Sequence, residues 1–445
     1  MKLRILAIIL LLAFPELVSA QYPGSKAKID SLLTILEANN KLMGQLAISK
    51  GGEIVYNRSI GFSSMIDNTM VRPDAGTGYR IGSVSKMFTS VMIFQLIEEG
   101  KLTLQTRLSS FFPDLPNASQ ITIGHLLTHQ SGLHNFTDDS TYMLIYQNPQ
   151  SRQQMLDLFK QQKTDFAPGT KADYSNTNYI ILGYIIEHLT GTSYADAVKK
   201  RITDRIGLRN TYQGGDRNKT EAFSYSYSGK TWIKEPDTHM SIPLGAGGII
   251  SNASDLTTFI NALFTHRLIS RASLDTMKKI RNSYGYGIFR IPFASRSSFG
   301  HSGSIDGFES FLAYFPDDSV AIAFTGNGSN YRLNDMLLGA LSIFYGKDYQ
   351  LPGFGLYKLA PEQLKGYAGV YASPEFPLKI TISDNGDHLT AQATGQSAFP
   401  LEPVSISQFR FDPAGIVIDF TIVDGKPVGK FVLKQGGRNT NFERQ

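Results

Sequence analysis

The sequence predicts an α/β protein of the α+β kind, an antiparallel sheet flanked by helices, followed by a small all-β domain. Three observations carry this. An amphipathic stretch, Lys26 to Asn39, precedes two strand-like runs around Gly51-Gly52. From Tyr284 the hydrophobic period becomes two, so that YGYGIFRI, FGHSGSIDGFESFLAYFP and VAIAFTGNG read as three successive strands whose short turns favour antiparallel neighbours. Beyond about Tyr367 the chain consists of short alternating runs separated by turn signals such as Asp384-Asn385-Gly386-Asp387 and Asp424-Gly425, the pattern of a domain built from hairpins.

Composition sets bounds on the chemistry. The chain has 445 residues, 42% hydrophobic and 18% charged, which describes a folded protein. Cysteine is absent, which removes disulfides, thiolate metal sites and a cysteine nucleophile together. The formal charge of +5 is mild and no dense basic run occurs, so nucleic acid is not an expected partner. Lys2 and Arg4, the apolar run Ile5 to Phe14 and the small residues Val18-Ser19-Ala20 read as a secretory signal peptide over 1–20. No later stretch approaches a membrane span, so the mature chain is expected to be periplasmic or secreted. The expected domains are 21–350, carrying the chemistry, and 351–445, a linker and the β domain.

The stretch Ile81 to Gly100 anchors the first of these. Nine residues between Val84 and Ile97 are Val, Met, Phe, Leu or Ile, spread nearly all round, which predicts a buried helix ending at Gly100. Ser83 and Lys86 stand at its start, three apart and therefore on one face. Burial lowers a lysine pKa towards the neutral amine that a base must be. Further on, Tyr174 and Asn176 lie in a loop after Pro168-Gly169 and before an apolar helix from about Thr177 to Leu189. A tyrosine there faces positive backbone potential, which favours its phenolate. Tyr146-Gln147-Asn148 repeats the Tyr-x-Asn spacing without that context. His301 and Gly303 follow in a predicted strand.

Other features have plainer readings. His125 and His129 have the spacing of a helical zinc site, but Leu126 stands where a metalloprotease places Glu, so both read as structural histidines. The polar segment Thr211 to Trp232 reads as a surface excursion or lid over the site. Gly245, Gly247 and Gly248 allow close backbone approach, and Ser254 or Asp255 starts another helix.

Ser83-x-x-Lys86, Tyr174-x-Asn176 and His301-x-Gly303, with ITIGHLLTHQSGL and GAGGIISNASDL, together closely resemble the serine β-lactamase and penicillin-binding-protein superfamily, nearest its class C-like branch of D-alanyl-D-alanine carboxypeptidases, esterases and D-aminopeptidases. The resemblance spans about Lys26 to Gly346. It implies a β-lactamase-like sheet beside an all-helical region, with Ser83 as acyl-forming nucleophile and Lys86 and Tyr174 sharing the proton transfers. It further implies that the backbone N–H groups of Ser83 and Ser304 form an oxyanion hole, that Asn176 holds the substrate amide, and that neither metal nor cofactor takes part.

The implied substrates are small peptides, amides, esters or β-lactams, with peptidoglycan as a further partner. Class C β-lactamases carry Lys-Thr-Gly where this chain has His301-Ser302-Gly303, so carboxylate recognition is expected to weaken as pH rises through the ordinary histidine range. That tilts the expectation from a dedicated β-lactamase to a hydrolase of acyl-D-amino-acid peptides, amides or esters. A muropeptide-binding envelope protein without activity is the reading from another class. Ser383-Asp384-Asn385 mimics a class A motif but falls in a predicted hairpin turn, and no Gly-x-Ser-x-Gly elbow occurs.

Overall fold

The computed structural model describes residues 23–67, 69–354, 357–435 and 438–445. The predicted signal peptide lies outside them. The main sheet runs Phe289–Phe293, Arg296–Ile305, Phe308–Phe315, Val320–Ser329, Leu42–Lys50 and Glu53–Ile60, all antiparallel along this path. An early hairpin and a late meander thus share one sheet, joined by Leu42–Lys50 against Val320–Ser329.

Period two decides which side each residue faces. Ala321 and Ala323 join the core shared with the helices Ser85–Glu98 and Ala253–Phe264, while Ile322 and Phe324 face the helices Pro23–Ala38 and Leu333–Phe344. Because both faces are covered, Val320–Ser329 is buried nearly throughout and reads as a continuous apolar and small-residue run. Behind the Ser83 side stands the helical region, including Ile123–Leu127, Arg152–Gln161 and Asn176–Thr190, the last ending on left-handed Gly191.

Two sequence expectations change here. The long stretch around His301 is two strands, because Asp306-Gly307 turns the chain, with Asp306 at φ 54°. The polar segment Thr211 to Trp232 is no lid. Its Tyr225 pairs in parallel with Gly328 at the end of the central strand Val320–Ser329 and its Tyr227 pairs with Trp232, and none of its residues lines the cleft at Ser83.

The C-terminal domain closes into an eight-stranded barrel in which Tyr371 of the first strand pairs with Arg444 of the last. Ser383 and Asp384 end one of its strands, before the hairpin turn that holds Asn385. Lys41, at the foot of Leu42–Lys50, ties the two domains: its Nζ lies 2.5 Å from Glu402 and 3.1 Å from Asp412, both of the barrel. Among the described residues, no helix is long and apolar enough to cross a membrane.

Candidate active site

Ser83 sits in a 3₁₀ turn, Gly82–Val84, that feeds the helix Ser85–Glu98. Gly82 is required at the entry. Its φ is +47°, and a Cβ there would lie 2.8 Å from the backbone nitrogen and oxygen of Ser304. The helix that follows is buried from Ser85 to Leu96, with Phe88 stacked on Phe259 at 3.8 Å between ring centres. A helix so enclosed carries its first-turn lysine into the core with it, and Lys86 has no solvent exposure. Burial holds its ammonium well below the ordinary lysine pKa.

Lys86 Nζ has three close partners: Ala246 O at 2.7 Å, Asn176 Oδ1 at 2.8 Å and Ser83 Oγ at 3.0 Å. The Tyr174 hydroxyl donates to the same Ser83 Oγ at 2.7 Å. Ser83, Lys86, Tyr174 and Asn176 therefore meet at one point, from a turn, a helix, a loop and a second helix start. Asn176 is engaged at both ends of its amide, since Nδ2 donates to Thr137 Oγ1 at 3.2 Å.

Tyr174 differs from the sequence expectation. Burial raises its phenol pKa, outweighing the lowering by the hydrogen bond to Ser83, so the neutral phenol is the resting form. Its ring stacks on His129, 4.4 Å away. His129 is itself fixed, for its Nδ1 accepts from the Ser175 N–H at 3.1 Å, and burial keeps it neutral. His125 Nδ1 instead accepts from Thr122 N–H in a helix-capping box. No cluster among the described residues could hold a metal ion.

His301 likewise departs from expectation. It is 3% exposed, set edge-on to Phe289, with Nδ1–H donated to the Ser302 carbonyl. Burial first, and the field of Lys86 second, drop its pKa to about 3, so it is neutral throughout the mildly acidic range and supplies no titrating cation. Gly303 lies flush against the serine turn: a Cβ would fall 2.1 Å from Ile81 O and 2.9 Å from the Ser83 nitrogen. Ser304 follows it at the cleft wall.

The cleft encloses about 200 Å³, with Phe136, Tyr142, Ile180, Ile242 and Pro243 among its apolar lining and Ser83, Thr137, Asn176, Ser304 and Asp306 its polar lining. Sequence reasoning missed three contributors. The Ala246 carbonyl reaches Lys86 because glycines flank it, a Cβ on Gly245 meeting Tyr179 O at 2.6 Å. His129 was signalled only as a buried histidine. Asp306, bonded to Arg80 and Thr238, was signalled only as half of an Asp-Gly turn.

Comparison with known proteins identifies the family. A family model described as Beta-lactamase matches residues 35–338. The chain is 25% identical to Penicillin-binding protein 4* of Bacillus subtilis over 93% of this chain and 97% of that protein. It is 24% identical to Teichoic acid D-alanine hydrolase of Staphylococcus aureus over 71% and 77%. The fold is shared with the octameric penicillin-binding protein homologue from Pyrococcus abyssi (TM-score 0.66, 24% identity, 94% of this chain and 99% of that one). It is also shared with D-amino acid amidase from Ochrobactrum anthropi SV3 (TM-score 0.65, 24% identity, 72% and 99%). The chain belongs to the β-lactamase family, within the serine β-lactamase and penicillin-binding-protein superfamily, and is a serine hydrolase.

Proposed function

We propose that the protein hydrolyses acyl-D-amino-acid amides, esters or peptides through an acyl-Ser83 intermediate. The observation that carries this reading is the hydrogen-bonding count at Lys86. A neutral amine has two N–H donors and one lone pair. Ala246 O and Asn176 Oδ1 can only accept, so they take both donors and leave the lone pair aimed at Ser83 Oγ. The Ser83 proton then points at Lys86, while Tyr174 donates to the other side of the oxygen. Lys86 is thereby the base.

As Ser83 Oγ bonds to the substrate carbonyl carbon, its proton passes to Lys86 Nζ and the carbonyl oxygen becomes an oxyanion, received by the N–H groups of Ser83 and Ser304. Collapse breaks the bond to the leaving group, which takes the Tyr174 proton; Lys86 reprotonates Tyr174. Water attacks the acyl-enzyme by the same path in reverse. Asn176 holds Lys86 in register through Oδ1, and beyond its bond to Thr137 the amide keeps a second N–H for the substrate amide.

Substrate charge separates the possible reactions. Among the described residues that line the cleft no lysine or arginine occurs, and His301 is neutral. A substrate carboxylate would meet Asp306 without a free counter-cation, which favours neutral amides and esters over β-lactams and carboxylate-ended peptides. Loss of activity with muropeptide binding retained is disfavoured by Lys86, because an amine buried without an anion is costly and serves a binding site nothing. Action in the cell envelope on peptidoglycan-derived material fits the leader-like residues 1–20.

The test is labelling with a fluorophosphonate, followed by a screen of D-amino-acid amides, short esters, D-Ala-D-Ala peptides and a chromogenic cephalosporin. Labelling should vanish in Ser83→Ala. Wild-type labelling no greater than that of the variant would overturn the proposal.

A further inference from the structure

The barrel takes no part in the Ser83 cleft, and its interior is filled by buried aromatic side chains, including Tyr367, Tyr371, Phe409, Phe420 and Phe431. A ligand inside it has no room, so what it can offer is its outer wall. A chain of hollows joins that wall to the serine. Ser304 and Asp306 line both the cleft and a second hollow of about 450 Å³. Ser226, Ser329 and Pro413 line both the second hollow and a third, of about 570 Å³, between the catalytic domain and the barrel. The barrel's share grows along this path. It is nil at Ser83, a single residue (Pro413) in the second hollow, and a wall including Phe399, Pro400 and Phe411 in the third.

The lining selects an occupant. Aromatic faces (Tyr227, Phe399, Phe411) stand among hydrogen-bonding groups (Ser226, Ser329, Asn330), which suits a chain that alternates apolar side chains with amides. A bare acyl chain would offer nothing to the polar groups of Ser226 and Asn330, while the Ser329 hydroxyl is already spent on the Tyr331 carbonyl. The charged groups are Asp306, Glu309 and Arg332 in the second hollow and Lys230, Asp387 and Glu402 in the third, where Lys230 is 2.9 Å from Asp387. Asp306 is paired with Arg80, Glu402 with Lys41, Asp387 with Lys230 and Arg332 with Asp335, so the cations along the path are already committed and none is left to hold a polyanion.

We infer that this path is an extended subsite for the distal peptide arm of the substrate, an arm without net negative charge, and that Pro413, Phe399 and Phe411 of the barrel form its outer end. The inference rests on the acyl-Ser83 reading. It gives the barrel a part in substrate choice that the catalytic residues do not require.

The test uses the full chain and D-alanine amides bearing peptide arms of one to five residues, one series extended on the acyl side and one on the leaving-group side. Turnover is followed together with the mass of trapped acyl-Ser83. kcat/KM should rise about tenfold or more along one series, comparable to filling a single side-chain pocket. Pro413→Trp should abolish the rise while the one-residue substrate keeps its wild-type rate. Ser329→Trp, which blocks the path from the catalytic side, should do the same whether or not the barrel tolerates the first change. A flat length dependence, a rise that survives both substitutions, or a preference for an acidic arm overturns the inference. Failure of every substrate to acylate Ser83 overturns the hydrolase reading and this inference with it.

Discussion

The Arg80 guanidinium lies 2.9 Å from the Asp306 carboxylate, and this pair brackets the reacting centre: Arg80 precedes the Ser83 turn and Asp306 follows Ser304. Asp306 also accepts from the backbone N–H and the hydroxyl of Thr238. Burial nevertheless raises its pKa, so desolvation outweighs the attraction, and the pair fixes geometry more than it adds stability. Asp306→Asn should destabilise the fold by about 3 kcal/mol, because Arg80 stays buried beside a neutral partner. Replacing both residues by Met and Leu should restore the urea midpoint while kcat stays depressed and KM moves little. Full recovery of kcat in the double variant would make the pair merely structural.

Lys86 makes opposite demands on activity and stability. Lys86→Met should abolish acylation, seen as lost probe labelling. The same substitution removes a buried amine, so the unfolding midpoint should rise by the equivalent of about 1 kcal/mol or more at pH 7.

The sign of the pH dependence follows from that amine. The folded-state pKa of Lys86 is depressed, so between that value and the ordinary lysine pKa the unfolded chain binds one more proton than the folded one. Its contribution therefore makes stability rise with pH across that window and fall as pH is lowered. Denaturant titrations from pH 7 to 10 should show this slope in the wild type and lose it in Lys86→Met.

His301 should leave the pH profile alone. With its pKa near 3 it stays neutral from pH 5 to 8, so His301→Gln should not alter the acid limb of kcat/KM in that range. His301→Lys instead places a second buried amine beside Lys86. It should cost roughly 2–4 kcal/mol of stability or push the new lysine neutral. Affinity for a carboxylate substrate that tracked pH between 5.5 and 7.5 would count against this assignment.

Gly303→Ala tests the contact between strand and serine turn. The added methyl would overlap Ile81 O and crowd the Ser83 nitrogen. The strand must move away, and kcat should fall by about 10²–10³, the usual effect of losing an oxyanion donor. Steady-state kinetics at a temperature where the variant is fully folded checks this.

What could be read from the sequence was local. Ser83 and Lys86 share a helix face whatever surrounds them, and the buried helix announced itself by apolar residues on all sides. Protonation states could not be read this way. Tyr174 and His301 owe theirs to groups distant in sequence, His129 and Phe289 among them, whose burial outweighs the local helix field that favoured a phenolate. The Asp306-Gly307 turn was written in the chain, and the alternation shifts phase there from Ile305 to Phe308, but two residues are too short a break to stand out in a long alternating run. Barrel closure needs Tyr371 to find Arg444, a pairing that no window of local pattern contains. The polar Tyr225 segment reads as excursion by composition and is tied to the sheet by one bridge to Gly328.

The pairing of Leu42–Lys50 with Val320–Ser329 sets the order of events when the chain is made. The first strand has only its hairpin neighbour until more than half of the polypeptide has followed, and a contact of such sequence separation is slow to form. Ser83 waits on the same event, because Ser304 and Gly303, against which its turn is packed, arrive on that late meander. A nascent chain therefore carries its nucleophile without the backbone that would arm it, and hydrolytic capacity switches on only when the sheet has zipped shut.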